Sequence, residues 1–438
     1  MNNTYAINNI NSQIKKNKAI FLSCLGAILE YYDFIIYGMM VIYLSEIFFP
    51  ASSPDVAYLK TFSILSIGYI ARPIGGYLFG LVADIYGRKK TLLMVMLVMA
   101  TSTMMIGLLP TYEAIGIFSP ILLTLARVLQ GLSFGAEMPN MTTIIKENTK
   151  TGSSGKYFGI MMSSTAIGTL LASLIVAIIA RQFLHDEIIA WVWRLPFLLG
   201  GTLALLVFIM RTRIDETPDF LKGQQSAILH RSSKQLTHEL FKSHWKNLLQ
   251  GMSGTLFFSY LIIFSLYLPG YLKQYFNYTL ETIFSWMTLS ILLTVFWSPL
   301  FGHLFDRLNR AKALKIVTLF FLLFLAVSLR LLKLNSQFAL AFFLLGYQLF
   351  IASYATNNFV VLSTLFPVNM RSTGIGVCYN TAYSIASVTP LILTPLINEM
   401  NYGFIVMIFS TIVVLLTVTG CSFQRNRLQQ IDAEHPAV

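Results

Sequence analysis

Charge is scarce in this chain: Asp, Glu, Lys and Arg make up 11% of its 438 residues, while 55% are hydrophobic. Soluble globular domains carry about 25% charged residues. A chain with so few cannot cover a water-facing surface of its size, and most of its exterior must face lipid. A soluble enzyme is excluded on that ground. The 31 Lys and Arg against 19 Asp and Glu give a net charge of +12, yet there is no hydrophilic domain to gather it, which excludes a nucleic-acid-binding protein. Cysteine is as sparse: Cys24, Cys378 and Cys421 fall in apolar stretches far apart, so neither a disulfide framework nor a metal spacing can be read from them. No Gly-x-x-x-x-Gly-Lys-Ser/Thr phosphate loop occurs, and direct use of ATP has no support. No cofactor and no metal are expected.

What the chain has is long apolar runs. A membrane-spanning helix needs about 20 mostly apolar residues, and continuous runs of that length do not resemble the short alternating strands of a barrel. Twelve such runs are present, at 19–47, 56–83, 91–109, 115–138, 157–180, 194–211, 248–272, 283–303, 314–332, 338–366, 373–398 and 402–421. The fold class expected is therefore an all-α membrane protein with twelve transmembrane helices in two six-helix bundles. Residues 1–18 form a cytoplasmic N-terminus, 19–211 the first bundle, 212–247 a cytoplasmic linker, 248–421 the second bundle and 422–438 a cytoplasmic tail. The basic start lacks a cleavage signal behind a short apolar core, so the first run reads as a retained helix rather than a signal peptide.

Orientation follows from the basic residues, because short loops rich in Lys and Arg stay in the cytoplasm. With the N-terminus inside, only Lys60, Arg181, Lys273, Arg330 and Lys333 fall outside, and Arg72, Arg127 and Arg194 lie within spans. All the others fall on the cytoplasmic side. Both termini are expected there.

The two halves carry a repeat. After the second run stands Gly80-Leu-Val-Ala-Asp84-Ile-Tyr-Gly87-Arg88-Lys-Lys90, and after the eighth Gly302-His-Leu-Phe-Asp306-Arg307-Leu-Asn-Arg310-Ala-Lys312. Gly80 permits close helix contact and Gly87 a tight turn, while Asp84 with Arg88, and Asp306 with Arg307 and Arg310, can form charge pairs that hold in one state and break in another. The bland reading, an ordinary positive loop, is weakened by the second copy.

These paired loops resemble the signature of the major facilitator superfamily. Further segments, Gly26-Ala-Ile-Leu-Glu30-Tyr-Tyr-Asp33-Phe34-Ile-Ile-Tyr37-Gly38, Arg72-Pro73-Ile-Gly75-Gly76, Arg127-Val-Leu-Gln130-Gly131-Leu-Ser-Phe-Gly135-Ala-Glu137, Trp193-Arg194-Leu-Pro196-Phe197 and Glu216-Thr217-Pro218-Asp-Phe220, are similar to the metabolite and proton symporter family. Its members include proline/betaine, 2-oxoglutarate, shikimate and citrate permeases. The chain departs from the family pattern at Ile85, Asn309, Ser154-Gly155 and Ala136. The resemblance implies secondary transport by alternating access, a bacterial cytoplasmic membrane, a small-molecule substrate with a proton, and function as a monomer. The osmosensing member of the family carries a long heptad-containing extension; 422–438 is too short for one, so osmosensing is not expected.

In the first run, Glu30 and Asp33 are three residues apart and Tyr37 four further on, which places all three within roughly 60° on a helix. Two acids at mid-membrane depth must line a cavity or pair with cations, and either can take up a proton. Arg72 and Arg127 are the expected partners, or anchors for a substrate carboxylate. Glu137 is expected to pair with Arg88 in the gate. The second half offers neutral polar and aromatic groups, Tyr260, Tyr267, Trp297, Tyr347, Gln348, Tyr354, Asn357, Asn358, Tyr379, Asn380 and Tyr383, some of which should line a cavity and suit an ammonium group; packing or a lipid-facing belt explains any one of them equally well.

Two motif matches are rejected. Gly131-Leu-Ser133-Phe-Gly135 fits a hydrolase elbow but lies in an apolar run, and His238-Glu239 lacks a second histidine at the zinc-protease spacing. The chain is expected to be no enzyme. It reads as a proton-coupled symporter of a zwitterion of the proline/betaine kind, with a dicarboxylate or other organic acid as the alternative and a transport-inactive solute sensor as the rival from another class.

Overall fold

A computed structural model of the chain describes residues 2–50, 54–149, 154–225, 232–387, 406 and 410–418. The long helices are α1 (Asn2–Phe48), α2 (Pro54–Tyr86), α3 (Arg88–Leu108), α4 (Phe118–Asn148), α5 (Ser154–Gln182), α6 (Arg194–Arg211), α7 (Trp245–Phe276), α8 (Leu280–Phe305), α9 (Arg310–Leu332), α10 (Gln337–Thr364) and α11 (Arg371–Ala386). Nine helices among the described residues are long and apolar enough to cross a membrane. The first ten apolar runs each fall on their own helix. The eleventh begins α11 and continues past the described residues, and of the twelfth only 406 and 410–418, all helical, are described. The tail at 422–438 and Cys421 lie outside the described residues.

These segments are helical because every backbone polar group in lipid must find its partner within the segment. Their outward faces confirm the solvent. On α2, Ile70, Ile74 and Leu78 form an exposed stripe at four-residue spacing, and on α9 Ile316, Phe320 and Leu323 form one at four- and then three-residue spacing. Pro73, Pro139, Pro269 and Pro299 all sit inside helices, which neighbouring helices make tolerable in a membrane.

The residues group into two compact units. Unit 1 comprises Met1–Thr149, Ser164–Leu236 and Val368–Gly376; unit 2 comprises Lys150–Ser163, Thr237–Pro367 and Val377–Val438. In unit 1, α4 packs along α2 and α3, α6 packs on α3, and α1 touches α2, α4 and α6. The α2–α4 seam is a backbone contact: a Cβ on Gly131 would stand 2.2 Å from the Gly68 carbonyl oxygen, and one on Gly135 2.1 Å from that of Arg72. Small residues let the helices touch and so fix the side chains beside the seam. An apolar cluster of Leu29, Met96, Met99, Ala100, Ala204 and Val207 closes α1 against α3 and α6. In unit 2, α10 is central and packs on α7, α8 and α9.

Two sequence boundaries shift. The fourth run was expected to stop at Met138, but α4 continues through Pro139 to Asn148, with Asn140, Thr142 and Thr143 buried in its last turns. Within 212–247 the chain forms helices at Pro218–Gln225 and Ser233–Ser243, and α7 starts at Trp245.

Candidate functional site

The first constellation lies in unit 1 where α1, α2, α3 and α4 meet. Asp33 of α1, Arg72 of α2 and Arg127 and Gln130 of α4 are all buried, and with Phe34, Gly68, Met99, Gly131 and Phe134 they line a small cavity. Arg127 Nη1 donates to Gln130 Oε1 at 2.7 Å, and Gln130 Nε2 donates to Asp33 Oδ2 at 2.7 Å and to Thr103 Oγ1 at 2.9 Å. The amide can point only one way, since arginine has donors alone and Thr103 spends its hydroxyl proton on the Met99 carbonyl at 2.8 Å. Asp33 and Arg127 therefore communicate through Gln130.

Both arginines are also held by rings. The Arg72 guanidinium carbon lies 4.5, 4.1 and 3.8 Å from the ring centres of Phe34, Tyr69 and Phe134. That of Arg127 lies 4.0 Å from the ring of Tyr37, whose hydroxyl donates to the Thr61 carbonyl at 3.3 Å. Ring faces attract a desolvated cation without neutralising it. Two arginines and one acid thus line a single cavity.

Glu30, one turn before Asp33, does not line this cavity. It is fully buried, and neither of its carboxylate oxygens has a hydrogen-bond partner among the described residues. Glu137 pairs with Arg211 of α6 at 2.5 Å.

A second constellation surrounds the first loop motif. Asp84 accepts from Ser372 N at 3.2 Å, Thr373 N at 2.8 Å and Thr373 Oγ1 at 2.7 Å, so its carboxylate caps the first turn of α11. Arg88 stands 3.4 Å from Asp84 and 3.1 Å from Glu147, and donates to the Ala83 and Val368 carbonyls at 2.9 and 2.5 Å. Glu147 also accepts from Arg371 at 3.0 Å and from Thr217 Oγ1 at 2.5 Å. Gly87 has φ +108°, and the place of its missing Cβ is taken by Glu216, whose carboxylate accepts from Arg88 N and Lys89 N, both at 3.1 Å, at the start of α3.

The second motif copy, in unit 2, uses the same device. Asp306 accepts from Gly155 N at 2.9 Å and Lys156 N at 3.3 Å, capping α5, and pairs with Arg310 at 2.5 Å. Gly155 and Gly302 touch backbone to backbone: a Cβ on either would stand 2.3 or 2.2 Å from the other's carbonyl oxygen.

A sequence profile of the Major Facilitator Superfamily matches residues 23–390. The chain belongs to the major facilitator superfamily. Among its relatives in this superfamily, the glycine betaine/proline/ectoine/pipecolic acid transporter OusA of Dickeya dadantii (strain 3937) is 29% identical over 431 residues, 96% of this chain and 85% of the relative. The alpha-ketoglutarate permease of Escherichia coli (strain K12) is 31% identical over 368 residues, 82% of each chain. Among solved structures, the proton:xylose symporter XylE bound to 6-bromo-6-deoxy-D-glucose matches with a TM-score of 0.74 at 17% identity, over 93% of this chain and 94% of that one. The fold is the twelve-helix one of the superfamily, and the chain is a multi-pass membrane protein of a family of transporters.

Within this superfamily fold, several residues stand elsewhere than their sequence pattern implied. Glu137 does not pair with Arg88; it pairs with Arg211, because α4 runs on to Asn148 and the helix end that reaches Arg88 carries Glu147 instead. Arg307 is exposed and outside the Asp306–Arg310 pair. Arg194 clamps the end of α3, donating to the Gly107 and Leu109 carbonyls at 3.2 and 2.6 Å, where a cation suits a helix C-terminus. Asn309, at the position of Gly87 in the repeat, has φ −66° and caps α9 through Lys312 N, so it needs no glycine. In unit 2, the hydroxyls of Tyr260, Tyr347 and Tyr354 bond Ser410 Oγ and the Leu261 and Gly254 carbonyls at 2.6, 2.7 and 2.7 Å, which ties these three into packing. Asn357 and Asn358 likewise donate to Arg310 O and Thr255 Oγ1, and the rings of Tyr379 and Tyr383 meet at 4.8 Å, tilted by 48°.

Glu147 and Arg211 were not singled out from sequence, and Gln130 and Glu216 entered only as members of the quoted segments, without a role. Gln130 alone gave a local signal, since three residues from Arg127 places it on the same helix face.

Proposed function

We propose that this protein is a proton-coupled symporter that carries a small zwitterionic metabolite of the proline/betaine kind into the cell, working as a monomer in a bacterial cytoplasmic membrane with both termini cytoplasmic. The observation that carries this reading is the Asp33–Gln130–Arg127 chain beside Arg72 in one cavity. A substrate carboxylate entering the cavity competes with Asp33 for the positive charge of Arg127 and Arg72. Asp33, losing that stabilisation, takes up a proton. Substrate and proton then bind together, which is the requirement of symport. Phe34 and Phe134, which also line the cavity, offer apolar contact to the methyl or methylene groups of such a substrate.

The loop motifs supply the gate of this reading. Asp84 with Arg88 and Gly87 holds the first turn of α11, and Asp306 with Arg310 holds that of α5; release of both turns accompanies the change of access. The 19–211 and 248–421 segments are the two repeats that rock, joined by 212–247.

A second reading, an organic-acid:proton symporter, is favoured by the two arginines at the cavity and by the alpha-ketoglutarate permease among the relatives. Thermal-shift measurement of the purified protein against glycine betaine, proline and 2-oxoglutarate separates them, because a ligand of the folded state raises its stability with concentration. Stabilisation by 2-oxoglutarate alone would overturn the zwitterion assignment. Uptake in proteoliposomes separates both from a solute sensor, which would bind without accumulating.

A further inference from the structure

The chain holds a second group of buried charges outside the substrate cavity. Arg211 of α6 donates through Nε to the Leu22 carbonyl at 3.1 Å and through Nη2 to the Ser23 carbonyl at 3.3 Å and Glu137 Oε1 at 2.5 Å. Gly26 makes the room: any Cβ there would lie 1.6 Å from Arg211 Nη2 and 2.6 Å from Glu137 Oε1. One cation and one acid are thereby matched. Glu30 is left over.

Among the described residues, both Glu30 oxygens and Glu137 Oε2 are buried without a hydrogen-bond partner. The groups whose charge bears on Glu30 are Glu137 of α4 foremost, then Arg72 of α2, Arg211 of α6 and Asp33 of its own helix, and Arg211 also acts on the buried Cys24 of α1. Beside Glu30, Leu29 packs on the apolar side chains Met96, Met99 and Ala100 of α3 and Ala204 and Val207 of α6. An ionised Glu30 would be an anion in a dry interior with no hydrogen bond, facing a second anion whose only ion-pair partner is already engaged. A proton resolves this. It removes the charge and turns an orphan acceptor into a donor.

We infer that Glu30 holds a resident proton beside the Glu137–Arg211 pair, forming a second proton-binding site that joins α1, α4 and α6 and is separate from the Asp33 cavity. The site binds a proton and nothing larger, since Gly26 leaves no further space. Its occupancy does not depend on whether Asp33 carries the transported proton.

Infrared difference spectroscopy on the full chain in lipid tests this directly, because a protonated carboxyl has a C=O stretch that an ionised one lacks. At neutral pH the wild type should show an acid band that shifts in D2O, and Asp33→Asn should retain it. Glu30→Gln should abolish it. Glu137→Gln should abolish it too, because Arg211 is then left with Glu30 as its only acid and ionises it. Glu30→Asp, which keeps the acid, should move the band without removing it, so the test survives if the Gln variant fails to fold. Absence of any acid band in the wild type, or a band that vanishes only in Asp33→Asn, overturns the second site while leaving the uptake reading to its own assay.

Discussion

Replacing Asp84 by Asn removes one charge and one acceptor from the best-defined cap in the molecule. The carboxylate takes Ser372 N on one oxygen and Thr373 N with Thr373 Oγ1 on the other, and it faces Arg88 at 3.4 Å. Asparagine can keep its oxygen toward Thr373, but its amide then turns donors on Ser372 N and Arg88. Hydrogen bonds to a charged group are worth about 1.5–3 kcal/mol each, and the charge at a helix N-terminus adds about 0.3–1 kcal/mol. The loss is therefore about 3 kcal/mol, which at 1.4 kcal/mol per tenfold moves the docked-to-released ratio of the α11 turn by roughly a hundredfold. Hydrogen exchange of the 371–376 segment in lipid nanodiscs reads that ratio. Exchange at Ser372 and Thr373 should speed up by that factor, ligand binding should remain detectable, and turnover in proteoliposomes should fall. Unchanged exchange with wild-type turnover would refute the reasoning and return the loop to an ordinary topogenic role.

Three further outcomes are expected. Gly131→Ala should lower stability by about 1–3 kcal/mol, the usual cost of overpacking, because its Cβ meets the Gly68 carbonyl at 2.2 Å; a thermal midpoint within error of wild type contradicts the close α2–α4 seam. Gly87→Ala should destabilise by about 1–2 kcal/mol from its positive φ alone, and more from Glu216 Oε2 at 2.3 Å; combining it with Glu216→Ala should recover part of the loss. Ser232→Cys should resist an impermeant maleimide in intact cells and react in inside-out vesicles, and the reverse pattern would overturn the orientation.

The spans were legible because lipid demands long uninterrupted runs, and a run such as 194–211 matches α6 residue for residue. Helix ends were less so. The polar turn at 140–148 reads as a loop, yet it stays helical and buried because Thr217, Arg88 and Arg371 come to it from distant parts of the chain. The Asp84–Arg88 pair was readable from its four-residue spacing. Glu147 and Glu216 were not, since a carboxylate's choice of cation depends on which helix ends converge. The same limit explains Glu137 and Arg194: sequence shows a charge at membrane depth, and only packing shows whether it faces a cavity, another charge or the end of a neighbouring helix.

The central claim is that Asp33 carries the proton that moves with substrate, and one experiment addresses it: pH-gradient-driven uptake and equal-pH counterflow, measured side by side in proteoliposomes of Asp33→Asn. Counterflow needs the loaded carrier to reorient, whereas accumulation needs the proton to leave, so the account predicts that accumulation is lost and exchange persists. Accumulation against the gradient in Asp33→Asn, with the pH dependence of the wild type, would contradict it.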